Sequence, residues 1–325
     1  MAPLKRLAPY LASALALVVI VAVLPEGNSA VAYPDPDREV RHVIPWRAGG
    51  GTDAAMRGFA QYFEKHLGVP VITENISGGL SAVGLLTVKR VIPDGYTLAT
   101  MTYDVLTVGF LGLAPIDWSE FEPVCTVTDH PTALLARAED YVDLEAFAAA
   151  ARARPGEIRT GNAGAQGVWH QHAVAAENEM GIEVHHVPYE ASSGMLAAIL
   201  GGEVDIVVSS LPAFISYLQD GTLRALAVMS NERDPLVPDA PTFKEHGYDL
   251  EYGSFRVLVA PGDTPETVLA HLESVCRVAW EDPDFQAWAE TAAIGPVWRD
   301  REETKAYLEA LAPKVGQLME VLGMR

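Results

Sequence analysis

The chain has 325 residues, with 23 Lys and Arg against 43 Asp and Glu, and a formal net charge of −20. That length exceeds one small core and suits two domains, while 49% hydrophobic and 20% charged residues exclude a wholly disordered chain. So acidic a chain argues against nucleic acid phosphate or an anionic membrane surface as partner, and its two Cys cannot build a disulfide scaffold or a Cys-rich metal site.

Lys5 and Arg6 precede an apolar run from Leu11 to Leu24, which Pro25 and Gly27 break. Ala30 and Ala32 supply the small residues of a cleavage site. This is the layout of a secretory signal peptide over residues 1–32, cleaved before Tyr33. The run, about 14 residues, falls short of the ~20 needed to span hydrocarbon, and no other segment is apolar enough. An exported, soluble periplasmic protein is expected.

Val40 to Trp46 reads as a short strand, followed by a glycine-rich loop and a helix over Ala54 to Leu67. Met56, Phe59, Ala60, Phe63 and Leu67 recur in it at helical spacing, and Thr52 or Asp53 is placed to cap it. Val69 to Thr73 is a second strand, Ala82 to Val91 a helix, and Tyr96 to Thr100 a third strand. This rhythm predicts a parallel sheet with helices on its faces. The middle of the chain repeats it, with strands at 133–136, 158–160, 183–187, 204–209 and 223–229. Helices are expected at 144–154, from Gly167 to about Met180 and at 194–200. One more strand is expected at 252–260, and the chain beyond Thr264 reads as mostly helical.

Ligands of open α/β sheets sit beyond the carboxyl ends of strands, where loops run into helix N-termini. Two such loops carry the glycines, Arg47 to Asp53 and Gly161 to Gly167. Glycine lets backbone approach a ligand, and a helix N-terminus offers unsatisfied N–H donors to an anion. Neither loop matches the phosphate cradle or the dinucleotide fingerprint, so no nucleotide site and no cofactor are expected.

A longer set of motifs follows in order. Pro45, Gly50-Gly51-Thr52-Asp53 and Arg57 come first, then Glu74-Asn75, Gly78 and Gly84, then Pro93-Asp94-Gly95-Tyr96-Thr97-Leu98. Pro155-Gly156, Gly164 and His170, Val187-Pro188-Tyr189, Gly201-Gly202-Glu203-Val204-Asp205 and Gly221 to Val228 continue it, with Pro238, Pro241-Thr242, Ala260-Pro261 and Thr264-Pro265. Over nearly the whole mature chain this resembles the Bug, or tripartite tricarboxylate transporter, substrate-binding receptors. The resemblance implies an α/β type II periplasmic binding protein fold, two-lobed in the manner of a Venus flytrap, with a hinged central cleft. It implies one lobe from 33–125 and 254–325 and another from 126–253. It implies no enzyme but a receptor, expected to be monomeric, that hands a small organic carboxylate to a membrane permease of large and small subunits. A receptor presenting its ligand to a sensor kinase is the alternative.

The ligand loops implied are 48–53 and 77–82 in the first lobe, 161–170 and 189–194 in the second. The candidate ligand-binding residues are Arg47, Ala48, Gly50, Gly51, Thr52, Asp53, Ser77, Gly78, Ser81, Asn162, Gly164, Gly167, His170, Tyr189 and Ser192. Several positions depart from the family pattern, notably Gly167 for Ser and Glu190-Ala191 for Lys-Gly. Phe255, followed by Arg256, stands where an aromatic Trp is common.

Individual residues carry alternatives. Asp53 either meets the ligand or caps the first helix. Arg57, four residues on, suits a local ion pair with it. Arg47 and Arg256 suit either a bidentate grip on a carboxylate or a solvated charge. Tyr189 either lines the cleft or packs at the hinge. His170 and His172 face apart on a helix and His185 and His186 on a strand, so no metal site is expected. There is no Gly-x-Ser-x-Gly elbow and no Cys beside a His, which argues against an exported hydrolase. Cys125 and Cys276 could pair in an oxidising compartment, but two buried, unpaired thiols is the simpler expectation.

Overall fold

The computed structural model describes residues 33–163, 167–189 and 192–323. The expected signal peptide, together with Gly164 and Glu190-Ala191, lies outside the described residues. The chain runs β1 (Val40–Ile44), α1 (Gly51–Leu67), β2 (Val71–Asn75), α2 (Ala82–Lys89) and β3 (Thr97–Thr102). β1 pairs in parallel with both β2 and β3, as strands joined through helices must. β4 (Phe121–Arg137) leads to α3 (Leu144–Ala153), β5 (Arg159–Ala163), α4 (Val168–Met180) and β6 (His185–Tyr189). Then come α5 (Ser192–Leu200), β7 (Ile206–Ser210), α6 (Ile215–Gln219), β8 (Leu223–Val228) and β9 (Gly253–Pro261). The last elements are α7 (Glu266–Glu281), α8 (Pro283–Thr291), β10 (Pro296–Arg299) and α9 (Arg301–Val321).

One mixed sheet orders these strands β2-β1-β3-β9-β4-β7-β5-β6, with β8 and β10 also paired to β4. It falls into two halves that share β4. From Phe121 to Pro131 that strand runs antiparallel to β9, and from Thr132 to Arg137 it lies between β7 and β8. β9 in turn pairs with β3, setting Thr102 opposite Arg256. The expected α/β class stands. The differences are local. β4 begins well before the strand expected at 133–136, and β10 falls within the tail read as mostly helical. β5 takes in Gly161 to Ala163, expected as loop.

One apolar core, including Tyr103, Phe147 and Phe255, continues through both halves. A second packs α1, α7 and α8 on the first half through Phe59, Phe63, Leu272 and Phe285. A third holds α5 to the second half through Met195, Ile199 and Phe214. The apolar residues of α1 are buried as their spacing predicts.

The expectation of unpaired thiols is corrected. Cys125 of β4 and Cys276 of α7 form a disulfide, with Cα atoms 6.6 Å apart. Both are fully buried. Packing of α7 on the sheet brings them together, a contact that a sequence separation of 151 residues conceals. The cross-link closes a long loop in the unfolded chain, so Cys125→Ala with Cys276→Ala should lower unfolding free energy by about 2–4 kcal/mol. Urea titration of oxidised protein against the double variant measures it, and equal midpoints would mean the bond contributes nothing.

Candidate functional site

α1 starts at Gly51, earlier than expected, and its N-cap is Gly50 with no side-chain hydrogen bond to the first turn. Asp53 therefore does not cap the helix, a correction with a clear cause. Its Oδ2 accepts from the Gly49 N–H at 2.8 Å, turned back onto the preceding loop. Its Oδ1 accepts from Arg57 at 2.7 Å and Asn75 at 2.8 Å. Burial opposes ionisation of Asp53, but the bonds from Arg57, Gly49 and Asn75 outweigh it and hold the carboxyl below its ordinary range. Asp53 is a buried anchor for the glycine loop. The amides of the first turn are left without a side-chain cap, the arrangement that receives an anion.

That helix terminus borders a cavity of about 580 Å³. Gly51, Thr52, Thr102 and Asp104 line it from the first half, Gly167, Trp169, Ser192 and Ser210 from the second, and His130, Ser254 and Arg256 from the strands joining them. β3 and β7 both point their carboxyl ends at it. A contiguous recess of about 530 Å³ shares Trp46, Gly51, Thr52 and Leu80 and adds Arg47, Gly50, Ser77, Gly78 and Ser81. Leu80 and Ser81 hold positive φ, 50° and 72°, and the Ser81 hydroxyl is buried with no partner among the described residues. A groove of similar size, about 570 Å³, lies along β8 and residues 236–241. It lies away from both glycine loops, and Arg224 within it is engaged by the carbonyls of Tyr141 and Val142.

Arg256 is the cation of the cavity. Its Nε donates to Thr52 Oγ1 at 3.3 Å and Nη1 to Thr128 Oγ1 at 3.2 Å. A Cβ at Gly51 would stand 3.8 Å from Nη2. Burial pulls Arg256 down to about 10, against the more distant charge of Asp129, and Asp129 itself is ion-paired with Arg299 at 2.9 Å. His130 beside it is pushed down to about 3 by burial and by the Arg256 charge, so it is neutral near pH 7.

The structure gathers Gly51, Thr52, Gly167 and Ser192 at the main cavity and Arg47, Gly50, Ser77, Gly78 and Ser81 at the recess. Others stand elsewhere. Ala48 is exposed on the loop. Asn162 is buried and contacts His186 Nδ1 at 2.9 Å, and the His170 ring stands edge-on to His186 at 4.6 Å. Tyr189 packs over Gly161 and Gly194. Gly164 lies outside the described residues. Trp46, Thr102, Asp104, His130, Trp169 and Ser210 line the main cavity without having been singled out from the sequence. Position at the end of β3 or β7 was the one signal that pointed to Thr102 and Ser210.

A sheet in two halves, joined by shared strands, with a cavity where glycine loops and helix N-termini converge, defines the class of periplasmic solute-binding proteins. The chain belongs to the tripartite tricarboxylate transporter family receptors, whose family model matches residues 55–324. It is similar to a TctC solute-binding protein from Polaromonas, solved without ligand, at 29% identity and a TM-score of 0.82, covering 88% of this chain and 99% of that one. MatC from Rhodopseudomonas palustris, with bound malate, is 26% identical with a TM-score of 0.68, covering 88% and 99%. R. palustris Rpa4515, with adipate, is 25% identical with a TM-score of 0.71, covering 89% and 98%.

Proposed function

We propose that this protein is a periplasmic receptor, without catalytic activity, that closes on a small organic carboxylate and delivers it to a tripartite tricarboxylate-type permease. The observation that carries the reading is the uncapped N-terminus of α1 opening beside Arg256 on one cavity. Fixed N–H donors and a guanidinium can hold a carboxylate locally inside a strongly acidic protein. Malate and adipate in the two R. palustris relatives support the ligand class. The buried disulfide supports an oxidising compartment, and among the described residues no helix is long and apolar enough to cross a membrane. The halves act as lobes, 33–125 with 254–325 and 126–253, with 126–131 paired to β9 of the first lobe and forming the crossing; β4 and β9 carry the hinge, and contacts from both lobes favour the closed form.

A thermal-shift screen of the purified protein against mono-, di- and tricarboxylates tests the reading, because a ligand of the folded state raises the midpoint by mass action. No shift with any carboxylate, alongside a shift with a sugar or a cation, overturns it. Gly51→Val is the control. A β-branched side chain there fills the space before Arg256 while α1 keeps ordinary helical backbone. Affinity should fall at least 30-fold with the unliganded midpoint within a few degrees of wild type, and unchanged calorimetric affinity would remove this loop from the site.

A further inference from the structure

We propose that the cavity selects a small carboxylate that also carries an amino group, with its carboxylate on Arg256 and the first turn of α1 and its ammonium on Asp104. This rests on the receptor reading above and narrows its ligand class. Two opposite charges line one cavity, and among the described residues neither is ion-paired with another side chain. Asp104 follows the end of β3 and is 8% exposed. Its Oδ2 accepts from Thr102 Oγ1 at 3.2 Å, a hydroxyl that also receives Trp46 Nε1 at 3.1 Å. No basic side chain pairs with Asp104 among the described residues. Thr102 is the cross-strand partner of Arg256, so the acid and the guanidinium flank one threonine on the cavity wall without pairing with each other.

A buried carboxylate lacking a cation is costly to hold ionised, and a partly buried guanidinium lacking an anion less so. Burial accordingly pushes the Asp104 carboxyl up to about 6, beyond what the Thr102 bond offsets. A zwitterion removes both costs in one binding event. A plain dicarboxylate that reaches Arg256 sets its second carboxylate toward a like charge, and a hydroxy acid offers Asp104 a hydrogen bond but no countercharge.

Isothermal titration of the purified protein with L-glutamate against glutarate, L-aspartate against succinate, and γ-aminobutyrate against butyrate tests this, with malate as the hydroxy acid. At least one amino acid should bind tenfold or more tightly than its parent acid. Asp104→Asn should abolish that preference, with a tenfold or greater loss for the amino acid and an unchanged or improved affinity for the parent. Parent acids or malate binding as tightly as every amino acid, or a preference that survives Asp104→Asn, overturns the inference and leaves the receptor reading standing. Failure of all seven compounds overturns the inference, and a blank screen of the wider carboxylate set overturns the receptor reading with it. The wild-type comparison decides the matter by itself should the variant fold poorly.

Discussion

Arg256→Gln should weaken carboxylate binding by about 2–4 kcal/mol, ~30- to 1,000-fold in Kd, while the midpoint of the unliganded protein stays level or rises. The two effects have one origin. Arg256 sits at the wall of the cavity, bonded to two threonine hydroxyls at 3.2 and 3.3 Å and, among the described residues, to no carboxylate side chain. In the unliganded protein its charge is partly buried and ion-paired with no side chain among the described residues, so its loss removes part of a desolvation penalty. On the proposed reading, it meets the ligand's charge in the complex, in a partly buried site where a charged hydrogen bond is stronger than in water. His130 gives a second readout. Arg256 contributes to pushing that imidazole down, so the variant should shift the His130 titration upward by NMR. A Kd within threefold of wild type would show that the ligand does not reach the guanidinium.

Acidification should destabilise the protein by several kcal/mol between pH 6.5 and pH 4. Three buried histidines are responsible. His42, in contact with Thr100 Oγ1 at 2.9 Å, is pushed down to about 4 by burial and by Arg57. His172, in contact with Thr132 Oγ1 at 2.7 Å, is pushed down to about 3 by burial, and His130 likewise to about 3. Each is neutral in the folded state and protonates near 6.5 when unfolded, so the unfolded chain binds more protons below that pH. The stability they contribute is complete above pH 6.5 and is lost as pH falls through 4 and then 3. Asp104, raised to about 6, and Asp129 and Asp234, also raised by burial, act in the opposite sense, but Asp53, Asp205 and Asp282, held low by their hydrogen bonds, add to the loss on acidification alongside the three imidazoles. The loss is a large share of an ordinary domain's stability. Urea midpoints at pH 7.5, 5.5 and 4.5 measure it. His172→Phe should flatten the slope by about 1.4 kcal/mol per pH unit between pH 6 and 4, and midpoints independent of pH would contradict the assignment.

Local features were legible in the sequence. The periodicity of α1 declared its buried face, and the glycine loops marked one end of two strands. The ion pair of Asp53 with Arg57 followed from their spacing and is present at 2.7 Å. β4 was legible only at its end because it hides its nature. Pro123 and Pro131 interrupt it, and Thr126, Thr128, His130 and Thr132 place buried polar groups along it. Its register shifts near Pro123 and again between Thr126 and Thr128, where such residues are tolerated. With that strand misread, the cavity wall it forms was out of reach. Arg256 comes beside Thr102, and so near Asp104, only through the β3–β9 pairing, and Cys125 meets Cys276 only through the packing of α7. The charge of −20 was silent on the cavity, because a net charge does not say where the guanidinium sits.

The sharing of β4 and the return of the chain in β9 also set an order of events during synthesis. The first half cannot complete its sheet when its own strands emerge from the ribosome, because β3 waits for β9 and Thr102 for Arg256. Until then the N-terminal third is an open edge with its core unsealed, and Cys125 has no partner until α7 is made. Such long-range closure slows folding. A nascent chain of this design therefore stays open until most of it exists, and its two halves close together rather than one after the other.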